Sequence, residues 1–536
     1  MCFIELAAVT KGHSDTLLRI SRIQLADYSV PFLRRLIAPS FPSTTPPHSA
    51  LGCTRAERGS PRILDSAEAT VRNSHKCSLA IAVLAAFGTS LSADLFADTV
   101  IVDNCGDSDD PSGISLRQAI ALANNGDVVD LSGLGCSTIT LAQGELTVEQ
   151  NILELRGPFD GGLTIDAHAY SRAINHVGTG TLFITDLGVA YGVVGAVESG
   201  GCIHSYANVE LLRSTISHCM AGNRGGAAYA NNLHVVDTRI YDNSANTGGG
   251  LAGSEILIEH GDVTGNHAGI RGGGASATYK ITINDSIITG NTSDGRGGAV
   301  SGDYKMYLAR TSVSGNAAAG YGGGLYHSPS KVGARLLQIA DSTIDNNVSG
   351  YRGGGVYGGY HVEIVGSTIS SNISGSGSKI FSGQGAGIFC YHLSMKNSTV
   401  VLNRDLRPGG ATGGVQAKDA TIISSIVANN VGYPHGDLYV AAGGLTAYTS
   451  LIRVSSEPSV SLTVDPRLGP LADHGGGRRT HAVLPGSPVI DVGSNPLSLQ
   501  NDERGLPRVV GLKPDIGAYE RQADDDQLWY DGFDSS

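Results

Sequence analysis

Gly272-Gly273-Gly274-Ala275-Ser276-Ala277-Thr278-Tyr279-Lys280-Ile281-Thr282-Ile283-Asn284-Asp285-Ser286-Ile287-Ile288-Thr289-Gly290-Asn291 decides the fold, because its parts return in the same order along the chain. The glycine cluster that opens it closes at Gly201, Gly226, Gly250, Gly274, Gly298, Gly324, Gly355, Gly387 and Gly414, in steps of 24 to 32 residues. Between these marks apolar and polar residues alternate, as in Lys280-Ile281-Thr282-Ile283 and His361-Val362-Glu363-Ile364. That is the period of a strand, rich in β-branched residues and bounded by Gly and Asn turns. Helical periodicity is nearly absent from 200 to 460. Units of this length bury their apolar faces only by stacking on their neighbours. An α-solenoid needs helical periodicity, and a propeller needs four strands in about 40 residues. The pattern predicts an all-β chain wound as a parallel β-helix.

A second mark, Ser/Thr-x-apolar-x-x-Asn, runs in phase with the first. It covers Thr238 to Asn243, Ser286 to Asn291, Thr311 to Asn316, Ser342 to Asn347, Ser367 to Asn372, Ser398 to Asn403 and Ser424 to Asn429. Gly261 to Asn266 fits with glycine first, and the coil from Ser214 carries Cys219 in place of the asparagine. Equivalent residues of stacked coils lie roughly 4.8 Å apart. Asn243, Asn266, Asn291, Asn316, Asn347, Asn372, Asn403 and Asn429 are therefore expected to form a side-chain ladder. Asn and Gly also tolerate the left-handed backbone of sharp corners.

The chain has 536 residues, and its 74 glycines are periodic, unlike those of a low-complexity segment. Residues 1–70 lack both marks and are rich in Ser, Pro and Arg. Arg72-Asn73-Ser74-His75-Lys76 then precedes an apolar run from Cys77 to Leu91, with small residues around Ala93 and Ala97. This reads as a signal peptide over 71–97, too short to span a membrane. Residues 1–70 are then expected to be a non-native or disordered extension, with the true start near Val71. Removal of residues 1–97 takes away 10 of the 37 Lys/Arg and 7 of the 49 Asp/Glu, leaving a formal charge of −15. So acidic a chain argues against broad nucleic-acid binding and against coating of anionic lipid. The mature cysteines lack C-x-x-C spacing, which argues against zinc and thioredoxin-like sites. In an exported chain, Cys105–Cys136 is expected as a disulfide and Cys202–Cys219 as a second, with Cys390 left over.

Both ends carry resemblances. Gly113-Ile114-Ser115-Leu116-Arg117-Gln118-Ala119-Ile120 reads as an amphipathic helix capped by Ser115, closing the open end of the solenoid. It resembles the Cys-Ser-Leu-Arg-Glu-Ala motif at the start of many bacterial surface β-helix proteins, with Ile114 and Gln118 in place of the cysteine and glutamate. The coils resemble the right-handed parallel β-helix repeats of that class and of polymorphic outer-membrane proteins, similar to the pectin-lyase fold. Gly486-Ser487-Pro488-Val489-Ile490-Asp491-Val492-Gly493, Asp502-Glu503-Arg504-Gly505-Leu506-Pro507-Arg508 and Pro514-Asp515-Ile516-Gly517-Ala518-Tyr519-Glu520 resemble the choice-of-anchor Q domain. Leu528-Trp529-Tyr530-Asp531-Gly532-Phe533-Asp534 resembles short C-terminal tails of secreted gammaproteobacterial proteins. These resemblances imply export and surface attachment, and no chemistry. On the residues alone, Asp491, Asp502, Arg504 and Asp515 are expected to form ion pairs capping the last coil.

A uronate lyase needs a base at the C5 proton and a cation against the carboxylate. Tyr279, Tyr304, Tyr360 and Tyr391 each stand 12 residues before a ladder asparagine, followed by Lys280, Lys305, His361 and His392. Strand parity predicts the tyrosines inside as an aromatic stack and the basic residues outside, beside Tyr307 and Glu363. The outward stripe (Lys280, Lys305, Tyr307, His361, His392) is the candidate ligand-binding face, set against a plain solvated face. Lys280, Lys305 and Arg310 with Asp285 and Asp303 are the candidates for lyase chemistry. Asp103, Asp107, Asp109 and Asp110 offer carboxylates for Ca²⁺ without EF-hand spacing. No other metal or cofactor signature is present.

The expected organisation is therefore an N-terminal cap and first coils over 98–195, repeats over 196–450, C-terminal coils with the anchor-Q-like region over 451–522, and an acidic linker and tail over 523–536. The expected role is an exported, cell-surface, non-catalytic protein that binds extracellular polysaccharide or another surface. The alternatives are a polysaccharide lyase or hydrolase acting on acidic glycans, and a structural spacer.

Overall fold

The computed structural model describes residues 97–523 and 525, apart from 109–112, 160, 331–334, 378–383, 408–411, 442–443 and 457–463. It also describes two short strands, Leu6–Ala8 and Leu18–Ile20, paired with each other antiparallel within a separate unit, Met1–Ala86. The expected extension and signal peptide, and the tail from 526, lie outside the described residues but for these strands and Ala97.

The chain from Thr99 is a parallel β-helix. A long sheet of 23 strands, a second of 13 and a third of 8 run along it, every pair in them parallel. The quoted stretch, with Thr292 and Ser293 after it, is one rung. Ala275–Asn284 crosses the first sheet, Ile287–Thr289 the second and Thr292–Ser293 the third. Three left-handed residues turn it: Gly272 (φ +68°), Asp285 (φ +49°) and Gly290 (φ +64°). The ladder asparagines themselves are not left-handed. The corner falls on the residue before each, as at Asp242, Gly265 and Asn346. Gly273 is fixed by a different need: a Cβ there would stand 2.2 Å from the carbonyl oxygen of Gly298 on the next rung.

Inward positions stack like on like. Ile281, Met306, Leu337, Val362 and Leu393 are successive register partners, all buried. Burying each such side chain contributes about 1.5–3 kcal/mol. Inside the second corner the asparagines form a continuous ladder. Asn291 Nδ2 donates to Asn316 Oδ1 at 3.0 Å, Asn316 to Asn347 at 2.9 Å, Asn347 to Asn372 at 3.0 Å and Asn372 to Asn403 at 2.9 Å. Asn243 and Asn266 extend it upstream. At its far end the expected member, Asn429, is wrong by one residue. Asn403 donates to Asn430, which is buried, while Asn429 has φ +58° and is the corner itself. The shift comes from starting the motif at Ser424, whereas Ser425 is the rung member, its Oγ accepting from Ser398 N–H.

The N-terminal helix Leu116–Leu122 is capped by Ser115 and Gln118 reciprocally and packs on strands Thr99–Ile101, Val128–Asp130 and Leu146–Val148. The chain contains disulfides Cys105–Cys136 and Cys202–Cys219, and Cys390 is buried with a free thiol.

The C-terminal region is not confined to the last coil, where Thr449 Oγ1 lies 3.0 Å from Ser494 Oγ. It runs back along the outside of the second sheet. Thr343 and Thr368 meet Glu503, Ser370 meets His481, Thr399 meets Ala518 N–H, and Arg479 pairs with Asp345. A second apolar cluster joins Val401, Ile426 and Leu451 of the coils to Val483, Val489, Ile516 and Tyr519 of this cover. Of the expected ion pairs, Arg504–Asp502 forms at 2.8 Å. Asp515 instead accepts from the backbone N–H of Asp491. The outward threonines of the second sheet give the cover hydroxyl partners and an apolar seat along the wall.

Candidate ligand-binding face

The second half of each first-sheet strand presents a row of outward side chains one rung apart. Glu255, Lys280, Lys305, Leu336, His361, His392 and Asp419 are successive register partners. The four basic residues of the expected stripe thus lie on one line, with Leu336 interrupting it, while Tyr307 stands on the neighbouring line with Thr282 and Gln338. The tyrosines beside it face outward, against the parity argument. Tyr279 is 48% exposed and stacks on Tyr304 with centroids 5.4 Å apart. The register shifts between Gly253 and Glu255 against the partner strand, so one extra residue enters the rung and alternation does not carry through the bend. Tyr360 and Tyr391 form a second outward pair at 6.2 Å.

Lys280 and Lys305 make no ion pair among the described residues. With Glu255, Tyr279, Thr282 and Tyr307 they line a shallow basin of ≈ 480 Å³. Lys280 Nζ sits 5.9 Å from the Tyr307 ring centroid. Further along, His361 stacks on His392 at 4.9 Å, and His392 Nδ1 lies 2.7 Å from Asp419 Oδ1. The basic row is therefore open at the lysines and partly neutralised at the histidines.

The five residues nominated for lyase chemistry do not converge. Arg310 and Asp285 are both left-handed corner residues, joined by two bonds of 2.6 and 2.7 Å. The Arg310 guanidinium holds the Asp285 carboxyl below its usual range. Asp303 receives two bonds from Arg271, at 2.7 and 2.8 Å. Each carboxylate is thus engaged by an arginine, and the lysines stand apart from both pairs. Spacing placed them one rung apart without showing which neighbours would claim them.

The acidic loop near the N-terminus is also committed. Asp107 accepts two bonds from Arg117, at 2.9 and 3.0 Å, and further bonds from Ala142 and Gln143 N–H. Asp103 accepts from Ile114 N–H. Asp109 and Asp110 lie outside the described residues, so the expected carboxylate set for Ca²⁺ reduces here to two groups with other partners.

Sequence reasoning missed a second concavity on the other half of the same sheet, around His204 and Tyr229. Its signal was the in-phase run Asn175, His204, Tyr229, each soon after a glycine mark or its equivalent. No helix among the described residues is long and apolar enough to cross a membrane.

No family model matches the chain, and no curated protein does. Among solved structures it is similar to the crystal structure of pectate lyase Pel9A, at 14% identity over 80% of this chain and 98% of that one, with a TM-score of 0.38. The fold assignment rests on the rung registers above.

Proposed function

We propose that this is an exported, surface-located β-helix protein that binds acidic extracellular polysaccharide on the outer face of its first sheet without cleaving it. The observation that carries the reading is the pair of adjacent lysines, Lys280 and Lys305, unpaired and flanked by outward tyrosines. A polyanion gains charge contacts there, and its sugar faces gain aromatic surface. Asp285, Asp303 and Arg310, three of the five residues nominated for lyase chemistry, are committed to arginine–carboxylate pairs, which favours binding over a β-elimination site assembled from them. Two disulfides suit an oxidising compartment. The signal-peptide-like segment and the anchor-Q-like C-terminal region support export and surface attachment.

The test is incubation of the protein with a panel of polyuronates, with and without Ca²⁺, following both retention on immobilised polymer and the ultraviolet absorbance of unsaturated product. Retention with a flat absorbance trace is expected. A rising trace would make the protein a lyase of acidic glycans and overturn the non-catalytic reading.

A further inference from the structure

Toward the N-terminus, the first half of the first sheet holds a groove of ≈ 450 Å³, within the roughly 300–1,000 Å³ typical of small-ligand sites. Its floor is Asn175, His204 and Tyr229 on three successive rungs. Tyr206 and Arg224 stand in its walls.

A chain of hydrogen bonds fixes the floor. Arg172 Nη1 pairs with Glu145 Oε2 at 2.6 Å, and Asn175 Nδ2 donates to Glu145 Oε1 at 3.0 Å. That orients the Asn175 amide, whose Oδ1 lies 3.1 Å from His204 Nδ1. An amide oxygen only accepts, so Nδ1 carries the proton and Nε2 is left as an acceptor. Burial, with the Arg172 charge adding to it, pushes His204 down to about 4, so the ring is neutral at ordinary pH. His204 Nε2 has no partner among the described residues.

Aromatic surface surrounds this acceptor. The Tyr229 ring stacks on His204 at 5.6 Å, and Tyr206, 79% exposed, stands edge-on to it at 4.6 Å. Arg224 is exposed and makes no ion pair among the described residues. An oriented neutral acceptor takes a hydroxyl proton, the rings take the C–H face of a sugar, and an unpaired guanidinium takes a carboxylate.

We propose that this groove is a second saccharide site, taking a short uronate-bearing oligosaccharide independently of the lysine basin: a hydroxyl on His204 Nε2, a ring face on Tyr206, a carboxylate on Arg224. The two sites lie on different halves of the sheet and on different rungs, so each can fail alone.

The experiment is isothermal titration of the intact protein with trigalacturonate, triguluronate and trimannuronate. At least one is expected to bind the Lys280→Ala/Lys305→Ala variant, in which the basin is removed and the groove is left. Tyr206→Ala and Arg224→Ala are each expected to weaken that binding about tenfold. Both side chains are exposed, so these variants fold, and His204→Phe serves as the deeper substitution. The proposal is overturned if none of the three binds, or if binding is unchanged in Tyr206→Ala and Arg224→Ala. Loss of all trisaccharide binding in the Lys280→Ala/Lys305→Ala variant removes the groove as an independent site and leaves only the basin.

Discussion

Asn430 Nδ2 donates to Asp437 Oδ1 at 3.0 Å, so the asparagine ladder ends on a carboxylate. Asp437 Oδ1 also accepts from Asn430 N–H at 2.8 Å, repeating what each asparagine does for the one before it. The ladder therefore has a direction, with every amide donating toward the C-terminus and every oxygen accepting from the preceding rung. Asp437 needs only to accept, which a carboxylate does on both oxygens, and its other oxygen takes Val454 N–H.

Replacing a ladder member strands several buried groups at once. Asn316→Ala removes the partners of Ile288 and Ser314 carbonyls and of Asn291 Nδ2 and N–H. A loss of about 3 kcal/mol or more is expected, since each buried orphan costs about 1–3 kcal/mol. Asn430→Ala is expected to cost a similar amount. Asn429→Gly is expected to stay within about 0.5 kcal/mol, because glycine accepts the left-handed corner. Chemical denaturation of the three variants checks the register, and equal losses at 429 and 430 would contradict it.

Glu503 is fully buried between the cover and the second sheet, and burial pushes its pKa well above the ordinary carboxylate range. Thr343 Oγ1 lies 2.8 Å from Arg479 O and 2.9 Å from Glu503 Oε1, and its single proton serves only one of them. The carbonyl cannot donate, so the proton goes there and the carboxyl is the donor to Thr343. Glu503→Gln, which keeps a donor and an acceptor, is expected to change stability by less than about 1 kcal/mol, whereas Glu503→Ala costs about 2–4 kcal/mol by cavity and orphaned hydroxyls. A glutamine variant as unstable as the alanine one would show an ionised Glu503.

The same burial gives the cover a pH dependence. Glu520 is pushed up to about 7, chiefly by burial. A carboxyl whose folded pKa is raised contributes stability that is complete below its unfolded pKa and lost as pH rises through the folded one. Its window therefore runs from about 4.5 to 7, and Glu503 adds a contribution of the same sign. Asp285, held low by Arg310, has the opposite sign but acts only below its ordinary range. The buried histidines, His204 and His481 among them, are lowered by burial and act with the opposite sign below about 6.5, so the melting temperature is expected to fall between pH 6.5 and pH 8, measured by calorimetry. A temperature that rises over that interval would refute the assignment.

Cys202 and Cys219 close a loop of 17 residues between neighbouring segments of the first rungs. Removing the bridge as Cys202→Ala/Cys219→Ala is expected to cost about 3 kcal/mol. Hydrogen exchange of residues 202–219 localises the loss. Unchanged protection there would mean the rung holds without it.

The glycine marks made the solenoid legible because three left-handed corners and one close rung contact recur from rung to rung between Gly225 and Leu402, and few residues other than glycine meet the last. The Ser/Thr mark was visible too, although its reason was not. Each hydroxyl bonds its own rung's carbonyl and the N–H of the rung before, as Ser342 does with Ala340 and Thr311. What spacing could not reveal was anything set by an irregular residue. The extra residue near Tyr279 turned the tyrosines outward, and the single-residue offset at Ser425 moved the ladder's end. Nor could it show partners drawn from other rungs, which is how Arg271 and Arg310 came to claim the nominated carboxylates. The cover on the second sheet depends on contacts more than 100 residues apart in sequence, such as Thr343 with Glu503, beyond any local pattern.

The claim that the lysine basin binds acidic polysaccharide is tested most directly by affinity electrophoresis through gels cast with polygalacturonate or alginate. The unaltered protein is expected to be retarded in at least one gel, with added salt reducing the retardation, and Lys280→Ala/Lys305→Ala is expected to be retarded clearly less. Mobility unchanged in every polyuronate gel, or a double variant held back as strongly as the unaltered protein, would contradict it.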